Sequence, residues 1–118
     1  MRTPVLTLFA LLLAVPIAAC SSGSGTPACT NPVATTSVEL QDYAFSPSCA
    51  EAAPDATLTL TNAGQPIHSF TVKGTDLNVS VDAGASAQVS LSGIAPGDYT
   101  VVCIYHPQMV GALRVSSG

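Results

Sequence analysis

Gly97-Asp98-Tyr99-Thr100-Val101-Val102-Cys103-Ile104-Tyr105-His106-Pro107-Gln108-Met109-Val110-Gly111 runs a strand directly into a loop of soft donor side chains. Before it, Ala95-Pro96-Gly97-Asp98 has the composition of a turn. From Tyr99 to Cys103 the chain reads as a strand, with Tyr99, Val101 and Cys103 on one face. Cys103 closes that strand, and the next six residues turn back, bringing His106 and Met109 to one point. A final strand from Gly111 to Val115 closes the chain.

Working outward, the same period of two recurs. Val38-Glu39-Leu40-Gln41-Asp42-Tyr43 alternates apolar and polar residues. So does Thr57-Leu58-Thr59-Leu60-Thr61, which ends at the turn signal Asn62-Ala63-Gly64-Gln65-Pro66. Phe70 to Lys73 is a short strand stopped by Gly74, and Leu77 to Val81 and Ala87 to Leu91 alternate again. About seven short strands with turns between them predict an all-β, two-sheet Greek-key sandwich. There is no helical period, internal repeat, phosphate-cradling glycine loop, serine-histidine-acid set or pair of catalytic carboxylates. Asn78-Val79-Ser80 matches a glycosylation sequon but reads as strand.

The donors define the chemistry. Ile67-His68-Ser69-Phe70 holds the second of the chain's two histidines. With His68, the loop offers two imidazoles, a thiolate and a thioether, which suits a trigonal His2Cys copper site with a long axial Met. Cu(I) favours sulfur and Cu(II) favours imidazole, so a site offering both rearranges little when one electron moves. Taken singly, each residue has an ordinary reading: a packed histidine, a buried or disulfide-bonded cysteine, a methionine filling the core. The combination argues against coincidence. Zinc also accepts His and Cys, but structural zinc sites close a tetrahedron of Cys and His without Met.

The segment 97–111 resembles the ligand loop of the cupredoxins, the small blue copper proteins. The Cys-x2-His-x2-Met spacing, with Pro107 after the histidine, is similar to the short loop of the amicyanins and shorter than that of the plastocyanins. Tyr43-Ala44-Phe45-Ser46-Pro47, Thr57 to Asn62 and His68-Ser69-Phe70-Thr71-Val72 extend the likeness from about Ser37 to Val115. The resemblance implies one type 1 copper ion held by His68, Cys103, His106 and Met109, with Ile67 and Ser69 just behind the ligands. It departs at Ser69, where many members carry an Asn that ties the ligand strands together. It departs again over residues 50–56, where members often show a Val-Pro-Ala-Gly-like turn.

The first 19 residues read as an export signal. Arg2 gives a small positive start, and residues 5–15 are almost wholly apolar yet too short to span a membrane. Ile17-Ala18-Ala19-Cys20 resembles the lipobox of bacterial lipoproteins, which would place a diacylglycerol on the Cys20 thiol; the other reading is an ordinary signal cut near Ala19. Ser21-Ser22-Gly23-Ser24-Gly25-Thr26-Pro27 then makes residues 20–28 a lipidated, flexible tether, and 29–118 a single domain. Of the four cysteines, Cys20 goes to lipid and Cys103 to copper. Cys29 and Cys49 remain as an even pair in an exported protein, read as a disulfide with two free thiols as the alternative.

The whole chain carries a formal charge of −4. That balance disfavours nucleic acid and anionic lipid surfaces as partners, so membrane attachment falls to the lipid. The expected protein is a monomeric, extracytoplasmic electron carrier on a bacterial membrane, facing the periplasm or the cell exterior. Its partners would be redox proteins, such as a cytochrome or a copper oxidase or reductase. Pro66, Ile67, Pro107 and Val110 would form an apolar docking patch around the exposed edge of His106. Met109 closes the axial side, leaving no open position for a substrate, so a carrier is expected rather than an enzyme. The alternatives are a copper storage or delivery protein using the same ligands, and a structural sandwich that binds no metal.

Overall fold

The computed structural model describes residues 29–118. The signal segment 1–19, Cys20 and the rest of the 20–28 tether lie outside the described residues. Ten strands follow one another: β1 (Val33–Ala34), β2 (Ser37–Gln41), β3 (Ala44–Ser46), β4 (Cys49–Ala52), β5 (Thr57–Asn62), β6 (His68–Val72), β7 (Asn78–Val81), β8 (Ser86–Ser90), β9 (Gly97–Cys103) and β10 (His106–Val115). They form a six-stranded sheet, β1-β4-β10-β9-β6-β7, and a four-stranded sheet, β3-β2-β5-β8. Both are mixed: β1–β4, β4–β10 and β2–β5 are parallel, and the remaining pairs are antiparallel.

The expected all-β sandwich is what the chain forms, with ten strands in place of about seven. The three extra ones, β1, β3 and β4, are two to four residues long and give little room for a period of two to register. β4 carries a second obstacle: Cys49, Ala50 and Ala52 are all buried, so apolar and polar residues do not alternate along it. It lies in parallel register with both β1 and β10.

Alternation builds the core elsewhere. Val38 and Leu40 of β2, Leu58 and Leu60 of β5, and Val101 and Cys103 of β9 all face inward, as does Leu113 of β10. Burying each large aliphatic side chain contributes about 1.5–3 kcal/mol. Phe45 meets Phe70 edge to face across the sandwich, with ring centroids 6.0 Å apart. Cys29 and Cys49 are joined, their Cα atoms 5.6 Å apart, as the cysteine count implied. Cys49 opens β4. Closing a loop of this length contributes roughly 3 kcal/mol in the chain-entropy account.

Strand ends assemble the site. Cys103 ends β9, His106 opens β10 directly opposite it, and His68 opens β6 opposite Val81 of β7. The expected six-residue loop is therefore tighter than the sequence indicated. Only Ile104 and Tyr105 turn; pairing resumes at His106, and the register then slips between His106 and Val110. That irregularity lets the strand carry His106 out over the end of the sandwich while Met109 stays inside.

Candidate metal centre

The three donors meet. Cys103 Sγ lies 3.9 Å from His68 Nδ1 and 3.5 Å from His106 Nδ1, and all three ligand atoms fall within 4.8 Å of one another. A first-row ion with bonds of about 2.0 Å to nitrogen and about 2.3 Å to sulfur, 120° apart, would separate those ends by roughly 3.7 Å. The two distances bracket that value, so the donor set fits a metal of this kind. His68, Cys103 and Met109 are buried, and His106 is half-buried. Met109 belongs to the same apolar cluster as Cys103.

A shell of polar groups fixes these donors. The Ser69 backbone N–H points at Cys103 Sγ, 3.4 Å away, and its hydroxyl accepts the Ile104 N–H at 2.9 Å. Ser69 thereby binds the β6 strand to the turn between β9 and β10. The Ser69 hydroxyl continues to Thr71 Oγ1 at 2.9 Å, and Thr71 donates to Asn78 Oδ1 at 2.8 Å.

Three contributors escaped the sequence reading. Asn62, read as part of a turn signal and as the end of the Thr57–Asn62 stretch, is buried. Its amide donates to the Pro66 carbonyl at 2.9 Å and the Val81 carbonyl at 2.8 Å, and its oxygen accepts the Gly64 N–H at 2.8 Å. The turn leading to His68 is folded around that side chain. Asp42 follows β2 and reaches His68 Nε2 at 2.7 Å. Its carboxyl is held below the ordinary value, first by the Gln65 N–H and then by the His68 bond. Tyr43, beside it, sets its ring 4.8 Å from that of His106. A signal existed for Asp42 in general chemistry, since metal-bound histidines commonly donate their other nitrogen to a carboxylate. Sequence spacing did not say which carboxylate.

The residues read as an apolar docking patch are largely open to solvent. Ile67, Pro107 and Val110 are exposed and Pro66 is half-buried. Tyr43, Ile104 and Tyr105 add exposed apolar area that the expected patch did not include. Tyr105 is held by a 2.7 Å hydrogen bond between its hydroxyl and that of Ser80.

Residues 7–115 match the family model of the cupredoxin-like domain. The chain belongs to the cupredoxin family. This cupredoxin is 30% identical over 114 residues to the methylamine utilization protein MauL of Methylophilus methylotrophus, a match covering 91% of this chain and 66% of the relative. It thus spans about two thirds of that relative's length. Among solved structures it resembles a purple cupredoxin from Nitrosopumilus maritimus, with a TM-score of 0.59 at 19% identity over 70% of this chain and 100% of the other. An oxidised amicyanin variant gives a TM-score of 0.58 at 16% identity over 70% of this chain and 82% of the other. At such identities these structural likenesses speak for the fold.

Proposed function

We propose that this cupredoxin is a one-electron carrier holding a single type 1 copper ion on His68, Cys103, His106 and Met109. The observation that carries the reading is the convergence of two imidazole nitrogens on one buried thiol at 3.5 and 3.9 Å. Bound copper supplies a one-electron couple. The protein's part is to hold soft and nitrogen donors in one arrangement for both oxidation states, and to exclude water from Cys103. His106 is the ligand that reaches the surface, so electrons enter and leave through its ring. The apolar residues around it suit brief docking of another redox protein. Met109 covers the remaining side, which favours a carrier over an enzyme.

The test is the visible spectrum of the purified domain after Cu(II) addition. One ion per domain and an intense thiolate-to-copper band are expected, and Cys103→Ser should abolish the band. A colourless parent protein, or a blue Cys103→Ser variant, sinks this assignment.

Export and anchoring belong to the same proposal. Ile17 to Cys20 supports cleavage before Cys20 and lipidation of its thiol, which would hold the carrier at the outer face of a bacterial membrane. Full-length protein should sediment with membranes, and Cys20→Ser should release it or leave it unprocessed and without lipid. Wild-type protein lacking lipid on Cys20 would refute the anchor.

A further inference from the structure

We propose that Asp42 is the positioning residue for His68: its carboxylate turns the imidazole so that Nδ1 faces Cys103, and its charge favours the oxidised ion. This rests on the copper reading above. Asp42 Oδ1 lies 2.7 Å from His68 Nε2. An ionised carboxylate can only accept, so the proton of a neutral His68 sits on Nε2 and the Nδ1 lone pair is left for the metal. His68 is fully buried, and water does not compete for either nitrogen. The other carboxylate oxygen accepts the Gln65 N–H at 3.1 Å, so Asp42 is itself held at both oxygens.

The arrangement crosses the sandwich. His68 opens a strand of the six-stranded sheet, whereas Asp42 sits just past the end of β2 in the four-stranded one. One sheet carries the ligand and the other aims it. Gly64 keeps the approach open. A Cβ there would clash with Asp42 Oδ1 and lie 2.8 Å from His68 Nε2. Space, and no left-handed backbone, is therefore what demands glycine at this position.

A negative charge one imidazole away from the ion stabilises the more highly charged oxidation state, and a carboxylate partner makes the imidazole a stronger donor. Both effects lower the reduction potential. Neither cation of the described domain offsets the charge, because Lys73 follows the far end of β6 and Arg114 pairs with Asp98 and Glu51.

The experiment compares parent, Asp42→Asn and Gly64→Ala proteins by voltammetry of the copper form, with imidazole nitrogen NMR of the apo forms at mildly alkaline pH. Asp42→Asn keeps an acceptor oxygen and removes the charge. Gly64→Ala keeps the charge and forces it off the ring. Partners of this kind typically alter metal affinity by about 10- to 100-fold. A tenfold loss of preference for Cu(II) over Cu(I) is expected in both variants, a rise of about 59 mV for a one-electron couple. In apo parent protein His68 should carry its proton on Nε2, and a further variant, Asp42→Ala, which removes the acceptor, should relax that preference. Folded variants with parental potentials overturn the electrostatic half, even if their stability falls. A parent His68 protonated on Nδ1, or shared between tautomers, overturns the positioning half. A parent that takes up no copper sinks the functional reading together with the electrostatic half, while the apo spectrum still decides the other.

Discussion

Ser69 shows how much one buried side chain carries here. Its hydroxyl is the acceptor for the Ile104 N–H and the next link to Thr71 and Asn78. Ser69→Ala removes the acceptor and leaves the Ile104 N–H, in a partly buried turn, without a partner. The expected cost is about 1–3 kcal/mol, read from denaturant unfolding of the apo domain; a loss below about 0.5 kcal/mol would mean that solvent replaces the bond. At this level the candidate ligands were legible and their supports were not. His68, Cys103, His106 and Met109 stand out because few side chain types bind copper and the chain has only two histidines. Asp42, Asn62 and Gly64 act through contacts between elements distant in sequence, and register alone brings them together. In Asn62-Ala63-Gly64-Gln65-Pro66, nothing local separates a structural keystone from an ordinary turn.

Strands were readable where one face is solvated. β2 and β5 announce themselves by alternation; β4 does not, because both of its faces are covered. Such a strand is fixed by its neighbours, and β10 is the neighbour that matters. Gly111 shows the tolerance of the fit: a Cβ would meet a Phe45 ring carbon and the Ser48 carbonyl oxygen, each at 3.0 Å. That carbonyl already accepts the Ala112 N–H at 2.8 Å, so it cannot move away freely. Gly111→Val adds three carbons against this wall and should cost about 1–3 kcal/mol by overpacking. Thermal unfolding measures it; an unchanged midpoint would mean that β3 and β4 shift without penalty. The disulfide acts on the same strand, since Cys49 stands opposite Ala112 of β10.

Charge is distributed unevenly over the whole domain. Arg114 donates to Asp98 Oδ1 at 2.7 Å, a bond that raises its pKa, and with Lys73 it lies at the end remote from the ligands. Asp42 and Asp82, the latter following the Val81 that faces His68, lie at the ligand end, where no Lys or Arg occurs among the described residues. Two copies meeting through their exposed His106 edges would therefore repel. Electron self-exchange should rise with ionic strength, as the screening length falls to about 10 Å at 0.1 M salt. Asp82→Asn should raise the low-salt rate and flatten the salt dependence. A rate that falls with added salt would place the exchange surface elsewhere. This pattern was not legible beforehand: net charge came directly from composition, whereas its polarity depends on which strand ends lie together.

The Tyr43 ring lies against His106, and the chain contains no tryptophan. Ultraviolet emission therefore comes mainly from three tyrosines, one touching a ligand and another, Tyr105, in the two-residue turn between Cys103 and His106. With copper bound at the proposed site, excited rings this near would lose their energy to the ion before they emit. The copper reading would thus give the domain an intrinsic optical gauge of metal loading, in which Tyr43→Phe removes the most closely coupled lamp and Tyr99, toward the far end of β9, supplies the steady background.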